Sequence, residues 1–232
     1  NAEKFEKLIE LFSQQQVDGM IVAPVVGSEH ILQKLVDKNY PIVTIDRYLK
    51  DIKIPSIIVN NTEIAESTTN FLLKKKFDKI IYIGYDTKLS HLLDRHRGFE
   101  TTISESGENV KTQSILVGIE NITEEIQSKL KAALGINPTN IALYFSSNKL
   151  AVAGLSYLVQ NNIKVPDDVS VVAFDETEAY KLFPSKITYV KQPLEEMADE
   201  AVKLLDLQIK QYSASAKKIT LSAELIVQNS TK

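Results

Sequence analysis

The chain of 232 residues contains no cysteine. Disulfide frameworks, thiolate nucleophiles and cysteine-ligated zinc or iron–sulfur centres are therefore excluded. Histidine is scarce as well, and the three that occur are His30, His91 and His96. Their spacing does not place two imidazoles on one helical face, as a helical zinc site would require. We expect no metal site.

Glycine is also infrequent, with eight residues in the whole chain. The sequence lacks the GxGxxG pattern and the GxxxxGK pattern followed by Ser or Thr, in which loop backbone cradles phosphate groups. It also lacks the GxSxG turn that presents the nucleophile of many serine hydrolases. Nucleotide chemistry, a nucleotide cofactor and serine hydrolysis are therefore not expected.

Long apolar runs are absent too. No run approaches the roughly 20 residues that cross a bilayer, and the first residues are polar, unlike a signal peptide. These features predict a cytoplasmic protein with no membrane partner. Twenty-seven Lys and Arg against thirty Asp and Glu leave a net charge of −3, which argues against a nucleic-acid-binding surface in these residues.

The chain instead contains short β-branched runs that alternate with amphipathic stretches. The runs cover residues 19–25, 42–45, 56–59, 79–84, 114–117, 141–145, 169–174 and 187–190. Between them, apolar residues recur three and four positions apart, which is typical of helices with one buried face. A long helix from 194 to about 211 and a last strand over 221–227 end the chain. This alternation predicts an α/β fold with parallel sheets covered on both faces.

Ligands of open parallel sheets bind beyond the carboxyl ends of the strands. The residues there are 46–48, 85–87, 145–148 and 175–177, a set rich in carboxylates, hydroxyls and aromatic rings. Carboxylates accept hydrogen bonds from sugar hydroxyls, an arginine donates them, and an aromatic ring packs on the apolar face of a sugar. These segments therefore predict a small polyhydroxylated ligand.

Asp46 and Asp175 leave a second interpretation open. Two carboxylates can act as general acid and base, and strand-end aspartates can also do no more than cap the following helix. The sequence does not give the separation of the two side chains.

Several segments, taken in order, resemble the effector-binding domain of LacI-type transcriptional regulators. The most distinctive is Val165 to Asp175, a proline-containing turn that leads into a buried strand ending in Asp. Arg95 to Phe99 looks like the Arg-x-x-Gly-aromatic helix start of the family. The other matching segments are residues 18–24, 41–47, 187–193 and 225–231.

The resemblance implies a periplasmic-binding-protein type I fold of two interleaved parallel-sheet lobes. The first lobe would hold residues 1–58 and 191–220, and the second 59–190 and 221–232. The match begins at the family's second helix, so we expect the first lobe to be incomplete and the DNA-binding headpiece to be absent. The first-lobe sheet would then expose an apolar edge.

The resemblance also implies an effector site in the interlobe cleft. Asp46 would bind effector hydroxyls from the first lobe, and Arg95 and Asp175 from the second. Ser147 and Asn148 stand where the family usually has an Asn-Asp pair, and Tyr85 and Phe145 complete the predicted site. The implied partners are a sugar-like effector, a second copy of the chain in a homodimer, and operator DNA contacted only through the headpiece.

Some of these residues have simpler interpretations. Arg95 could pair with Glu63 or Asp94 on the surface, and Tyr85 and Phe145 could be core aromatics. We expect His91 and His96 to be solvated residues of a helix.

Three functions follow from the sequence. The leading one is the effector-sensing and dimerisation core of a LacI-type regulator, without catalysis or cofactor. A sugar-binding protein of a transport system is the alternative, and an enzyme that uses Asp46 and Asp175 is the third.

Overall fold

Short runs of β-branched residues form the strands of two separate sheets. The computed structural model describes residues 2–213 and 217–232. Contacts divide the chain into two compact units, each with its own sheet. The first unit comprises Asn1–Asn60, Lys88–His91 and Pro193–Ser222, and the second comprises Asn61–Thr87, Leu92–Gln192 and Ala223–Lys232. Residues 1 and 214–216, which the predicted first-lobe segments 1–58 and 191–220 include, lie outside the described residues.

The first unit is built on a four-stranded parallel sheet of order β1-β2-β3-β9. Its strands are β1 (Met20–Val22), β2 (Ile42–Ile45), β3 (Ser56–Val59) and β9 (Lys218–Leu221). Its helices are α1 (Ala2–Gln14), α2 (Glu29–Asp37) and α7 (Leu194–Lys210). Apolar residues of α1 and α2 form one core cluster with Met20 and Ile42, and α7 packs on β1, β2 and β3.

The second unit has a six-stranded sheet of order β10-β8-β7-β6-β4-β5, in which only β10 is antiparallel to its neighbour. Its strands are β4 (Lys79–Tyr85), β5 (Lys111–Val117), β6 (Ile141–Phe145), β7 (Val169–Phe174), β8 (Thr188–Lys191) and β10 (Glu224–Ile226). Its helices are α3 (Asn61–Lys74), α4 (Ser90–Glu105), α5 (Ile122–Leu134) and α6 (Asn148–Gln160), with a 3₁₀ turn at Glu178–Leu182. The first two residues of α4 are grouped with the first unit.

Alternate residues of the central strands fill two cores in the second unit. Tyr82, Tyr144 and Val172 pack with side chains of α3 and α4, whereas Ile83 and Phe145 pack with those of α5 and α6. Because both faces of the sheet are covered, every residue of β6 and β7 is buried. The predicted α/β fold with parallel sheets is confirmed.

The end of the chain differs from its prediction. One strand was expected over 221–227, but the structure has two, β9 and β10, which belong to different sheets. The chain passes from the first unit to the second between Ser222 and Ala223, so one apolar run is divided between two sheets. Within residues 2–213 and 217–232, no helix combines the length and apolarity needed to cross a membrane.

Gly154 gives a stability prediction for the core beneath α6. A Cβ atom at this position would lie 2.3 Å from Cζ and 2.5 Å from Cε1 of Phe145, whose side chain is fully buried. Helix propensity alone would make Gly154→Ala stabilising by about 1 kcal/mol, but overpacking of a closed core costs about 1–3 kcal/mol. Since Phe145 has no room to move, we expect Gly154→Ala to lower the free energy of unfolding in a urea titration.

Ser156→Ala is the matched control for this change, because Ser156 lies on the exposed side of the same helix. It should leave the urea midpoint unchanged or slightly raised. A midpoint for Gly154→Ala at or above that of Ser156→Ala would show that Phe145 does not press on the helix.

Candidate functional site

Asp46 and Asp175 share a backbone conformation that is unusual for residues other than glycine. Their φ angles are 67° and 70°, and each directly follows a strand, β2 or β7. Five other non-glycine residues in the described part of the chain have positive φ: four lie in turns that follow helices, and Asn140 lies in a bend before β6. Left-handed backbone at a non-glycine residue is sparsely populated and concentrates at functional sites.

The sheets hold both aspartates through their main chains. The Asp46 N–H donates to the carbonyl of Ile57 in β3 at 2.9 Å, and the Asp175 N–H donates to the carbonyl of Val190 in β8 at 3.0 Å. Each aspartate is therefore hydrogen-bonded to the neighbouring strand through its backbone, although it lies just beyond the end of its own strand. This places each carboxylate at the carboxyl end of a parallel sheet, where the sequence predicted it.

In the first unit, Asp46 lies near the side chains of Arg47 and His91. Arg47 Nε donates to Asp46 Oδ2 at 3.2 Å, and Arg47 Nη1 donates to the carbonyl of Pro24 at 3.0 Å. His91 Nε2 lies 3.8 Å from the same carboxylate oxygen. The Asp46 side chain is 29% exposed, so a ligand can reach the carboxylate.

His91 and His96 are less solvated than the sequence had suggested, since His91 is buried and His96 is partly covered. His91 is 7% exposed because its ring packs beside Asp46. The His96 ring stacks on Tyr82 with centroids 4.8 Å apart, and its Nε2 lies 3.0 Å from Ser114 Oγ. Both positions depend on residues distant in the chain, which helical periodicity does not show.

In the second unit, Arg95 is almost completely buried, with 2% exposure. Its Nε donates to Asn61 Oδ1 at 2.8 Å, and its Nη1 donates to the carbonyl of Ser146 at 2.9 Å. The guanidinium carbon lies 3.3 Å from the centre of the Phe174 ring. Arg95 therefore does not lie on the surface, where a pair with Glu63 or Asp94 had been considered. The predicted helix start is also wrong, because α4 begins at Ser90 and Arg95 lies within it.

Asp175 is held from the neighbouring strand. Gln192, which follows β8, donates a hydrogen bond from Nε2 to Asp175 Oδ1. The buried Gln192 Oε1 and Tyr180 hydroxyl have no hydrogen-bond partner among the described residues. Burial, and secondarily the charge of Asp175, raise the pKa of the Tyr180 hydroxyl, which therefore stays protonated at neutral pH. The Tyr180 hydroxyl is thus a donor, and Gln192 Oε1 an acceptor, that accompany the Asp175 carboxylate.

Ser147, Asn148 and Tyr85 lie together where β4 ends and α6 begins. Ser147 is the N-cap of α6: its Oγ accepts a hydrogen bond from Leu150 N–H at 3.3 Å. The same hydroxyl donates to the Tyr85 hydroxyl at 3.4 Å, and Asn148 is the first helical residue. All three side chains are partly exposed. The Ser147 hydroxyl therefore has a structural role whether or not it meets a ligand.

Phe145 is not a site residue. Its side chain is fully buried and lies against Gly154 beneath α6. It shares a core with Ile83 and Leu143 and is therefore the core aromatic that the sequence left as the other possibility.

The structure adds three residues to the candidate site, Asn61, His91 and Gln192, while Arg47 belongs to the strand-end segment 46–48 already predicted. Asn61 and Gln192 come just after β3 and β8, so the rule that selected Asp46 and Asp175 could have found them. No group of three or more His, Asp or Glu side chains suited to a metal ion occurs in the part of the chain that the structure describes.

Comparison with known proteins places these features in context. Residues 69–231 match the model of the periplasmic binding protein-like domain family. The HTH-type transcriptional regulator RegA of Clostridium saccharobutylicum is 28% identical over 233 residues, which are 99% of this chain and 69% of RegA.

Two solved structures show the same fold. A periplasmic binding protein/LacI transcriptional regulator of Alkaliphilus metalliredigens, complexed with D-xylulofuranose, has a TM-score of 0.84 at 18% identity, covering 100% of this chain and 84% of that one. A LacI family regulator of Enterococcus faecium with bound ribose has a TM-score of 0.82 at 18% identity, covering 97% and 83%.

Proposed function

Because this chain belongs to the periplasmic binding protein-like domain family, we propose that it is the effector-sensing domain of a LacI-type transcriptional regulator and that its effector is a sugar or a similar polyhydroxylated metabolite. One observation supports a polyhydroxylated ligand. Each unit presents a carboxylate on left-handed backbone at the end of a parallel strand, Asp46 in one and Asp175 in the other.

A hydrogen-bond donor lies beside each carboxylate, Arg47 beside Asp46 and Gln192 beside Asp175. A sugar hydroxyl both donates and accepts, so it needs such mixed surroundings, whereas a phosphate would be repelled by either carboxylate. We assign effector contacts to Asp46, Arg95 and Asp175, and a lining role to Tyr85, Ser147 and Asn148.

We propose that the two units are the two lobes of the family fold, with the lobe boundaries predicted from the sequence. The relatives named above all carry the name of a transcriptional regulator. The net charge of −3 supports a regulator whose operator contact is made by residues other than these. Assembly as a homodimer and a cytoplasmic location are part of the same proposal.

A ligand screen by thermal unfolding tests the function. We expect a neutral pentose or hexose, with D-ribose and D-xylulose as first probes, to raise the melting temperature, while sugar phosphates and nucleobases do not. At a ligand concentration 100 times the Kd, the stabilisation should be about 2.7 kcal/mol.

2-Deoxy-D-ribose is the matched control for a response to ribose. The loss of one hydroxyl leaves polar groups of the protein unpaired, so the shift should fall sharply. The sugar should be recovered unchanged by NMR after incubation. A screen in which no sugar stabilises the chain would count against the proposal.

A further inference from the structure

Arginine is rare in this chain: Arg47, Arg95 and Arg97 are the only three among 27 basic residues. Arg95 is the most deeply buried of them, at 2% exposure. Burying a guanidinium is costly unless its N–H groups are bonded. The groups bonded to Arg95 therefore determine how much its burial costs.

Three neutral groups fix the orientation of Arg95. The Asn61 side chain and the Ser146 carbonyl accept from Nε and Nη1, which sets the rotation of the guanidinium within its own plane. The Phe174 ring at 3.3 Å sets the plane itself. None of these three partners is a carboxylate.

Asn61 lies at the start of α3, where α4 approaches that helix closely at Gly98. A Cβ atom on Gly98 would lie 2.5 Å from the carbonyl oxygen of Thr62 and 2.9 Å from Cβ of Ala65. Only glycine therefore allows α4 to lie this near to the first turn of α3. Arg95 and Gly98 are one helical turn apart, so the close approach occurs beside the arginine. This spacing gives a physical reason for the Arg-x-x-Gly pattern in the sequence.

We propose that Asn61 is a positioning residue for effector binding: it holds the Arg95 guanidinium in its binding orientation, and Gly98 sets the helix spacing that makes the bond possible. The proposal rests on the proposed function, because Arg95 is the group assigned to touch the effector. A guanidinium that is already ordered loses little entropy when it binds.

The first test needs no ligand. With three arginines, the ¹H–¹⁵N spectrum of the full chain contains three Nε–Hε signals, and Arg95→Lys identifies that of Arg95. We expect this signal to be protected from exchange with water, since Asn61 Oδ1 accepts the proton. Asn61→Leu, of similar size but without an acceptor, should lower the protection about tenfold or more. Asn61→Asp restores an acceptor and should restore the protection.

Thr62→Val is the matched control. Thr62 Oγ1 accepts from Arg97 Nη2 at 3.0 Å at the exposed rim, so its loss should leave the Arg95 signal unchanged. Unchanged exchange in Asn61→Leu would overturn the positioning role, whatever the chain binds.

The second test measures effector affinity by calorimetry, with D-ribose and D-xylulose as probes. Asn61→Leu should weaken binding about tenfold or more, and Asn61→Asp should recover most of it. If the wild-type chain binds neither sugar, the choice of ligand is wrong, while the exchange measurement still decides whether Asn61 orders Arg95. Wild-type affinity in Asn61→Leu would overturn the proposal.

Discussion

Replacing Ser230 with alanine is expected to lower the free energy of unfolding by about 2–4 kcal/mol, because two buried backbone groups would lose their partner. Ser230 is fully buried. Its Oγ accepts from the N–H of Thr188 at 2.7 Å and donates to the carbonyl of Val171 at 2.6 Å. Alanine can do neither, and the closed core offers no replacement.

The same residue ties the end of the chain to β7 and β8. The Ser230 carbonyl accepts from Val171 N–H at 2.8 Å, and the Ser230 N–H donates to the carbonyl of Lys186 at 2.9 Å. These two strands lead to Asp175 and Gln192. A loosened pairing of β7 with β8 should therefore also weaken the Gln192–Asp175 hydrogen bond.

Urea unfolding followed by circular dichroism measures the effect. Ser104→Ala is the control, since the Ser104 hydroxyl bonds to the Thr101 carbonyl on the exposed side of a helix. That variant should change stability by less than about 0.5 kcal/mol. Equal midpoints for the two variants would contradict the role assigned to Ser230.

Local pattern was sufficient to predict most of the fold. Runs such as Ile141 to Phe145 and Val169 to Phe174 are apolar at nearly every position because both faces of their sheet are covered, and this identified them as parallel strands. The LacI-type resemblance is confirmed at the level of family and relatives. The division of the last apolar run into β9 and β10 could not be predicted, because it depends on which sheet each short segment joins.

The site was predictable only in part, for a similar reason. Strand ends identified Asp46 and Asp175, but their left-handed backbone is set by bonds to β3 and β8. Phe145 also ends a strand, yet its side chain points to the α6 face. The face on which the last residue of a strand lies follows from sheet register, which the sequence did not provide.

Asp46→Asn and Asp175→Asn are each expected to weaken effector binding by about 10-fold to 150-fold, the equivalent of one hydrogen bond to a charged acceptor. The fold should survive both changes, because asparagine, like aspartate, tolerates the left-handed backbone found at these positions. The measurement is calorimetric titration with the sugar found in the thermal screen. Asp86→Asn is the matched control: Asp86 also follows a strand, but it is exposed and its φ is not positive, so affinity should not change.

The same two variants separate a sensor from an enzyme. If Asp46 and Asp175 were acid and base, the wild-type chain would convert the sugar, and the asparagine variants would lose turnover while often keeping affinity. In a sensor, the wild-type chain returns the sugar unchanged and the variants lose affinity alone. Each carboxylate lies beside nitrogen donors, Arg47 for Asp46 and Gln192 for Asp175. Both carboxylates therefore accept hydrogen bonds from neighbouring side chains, an arrangement that suits the binding of a polar ligand.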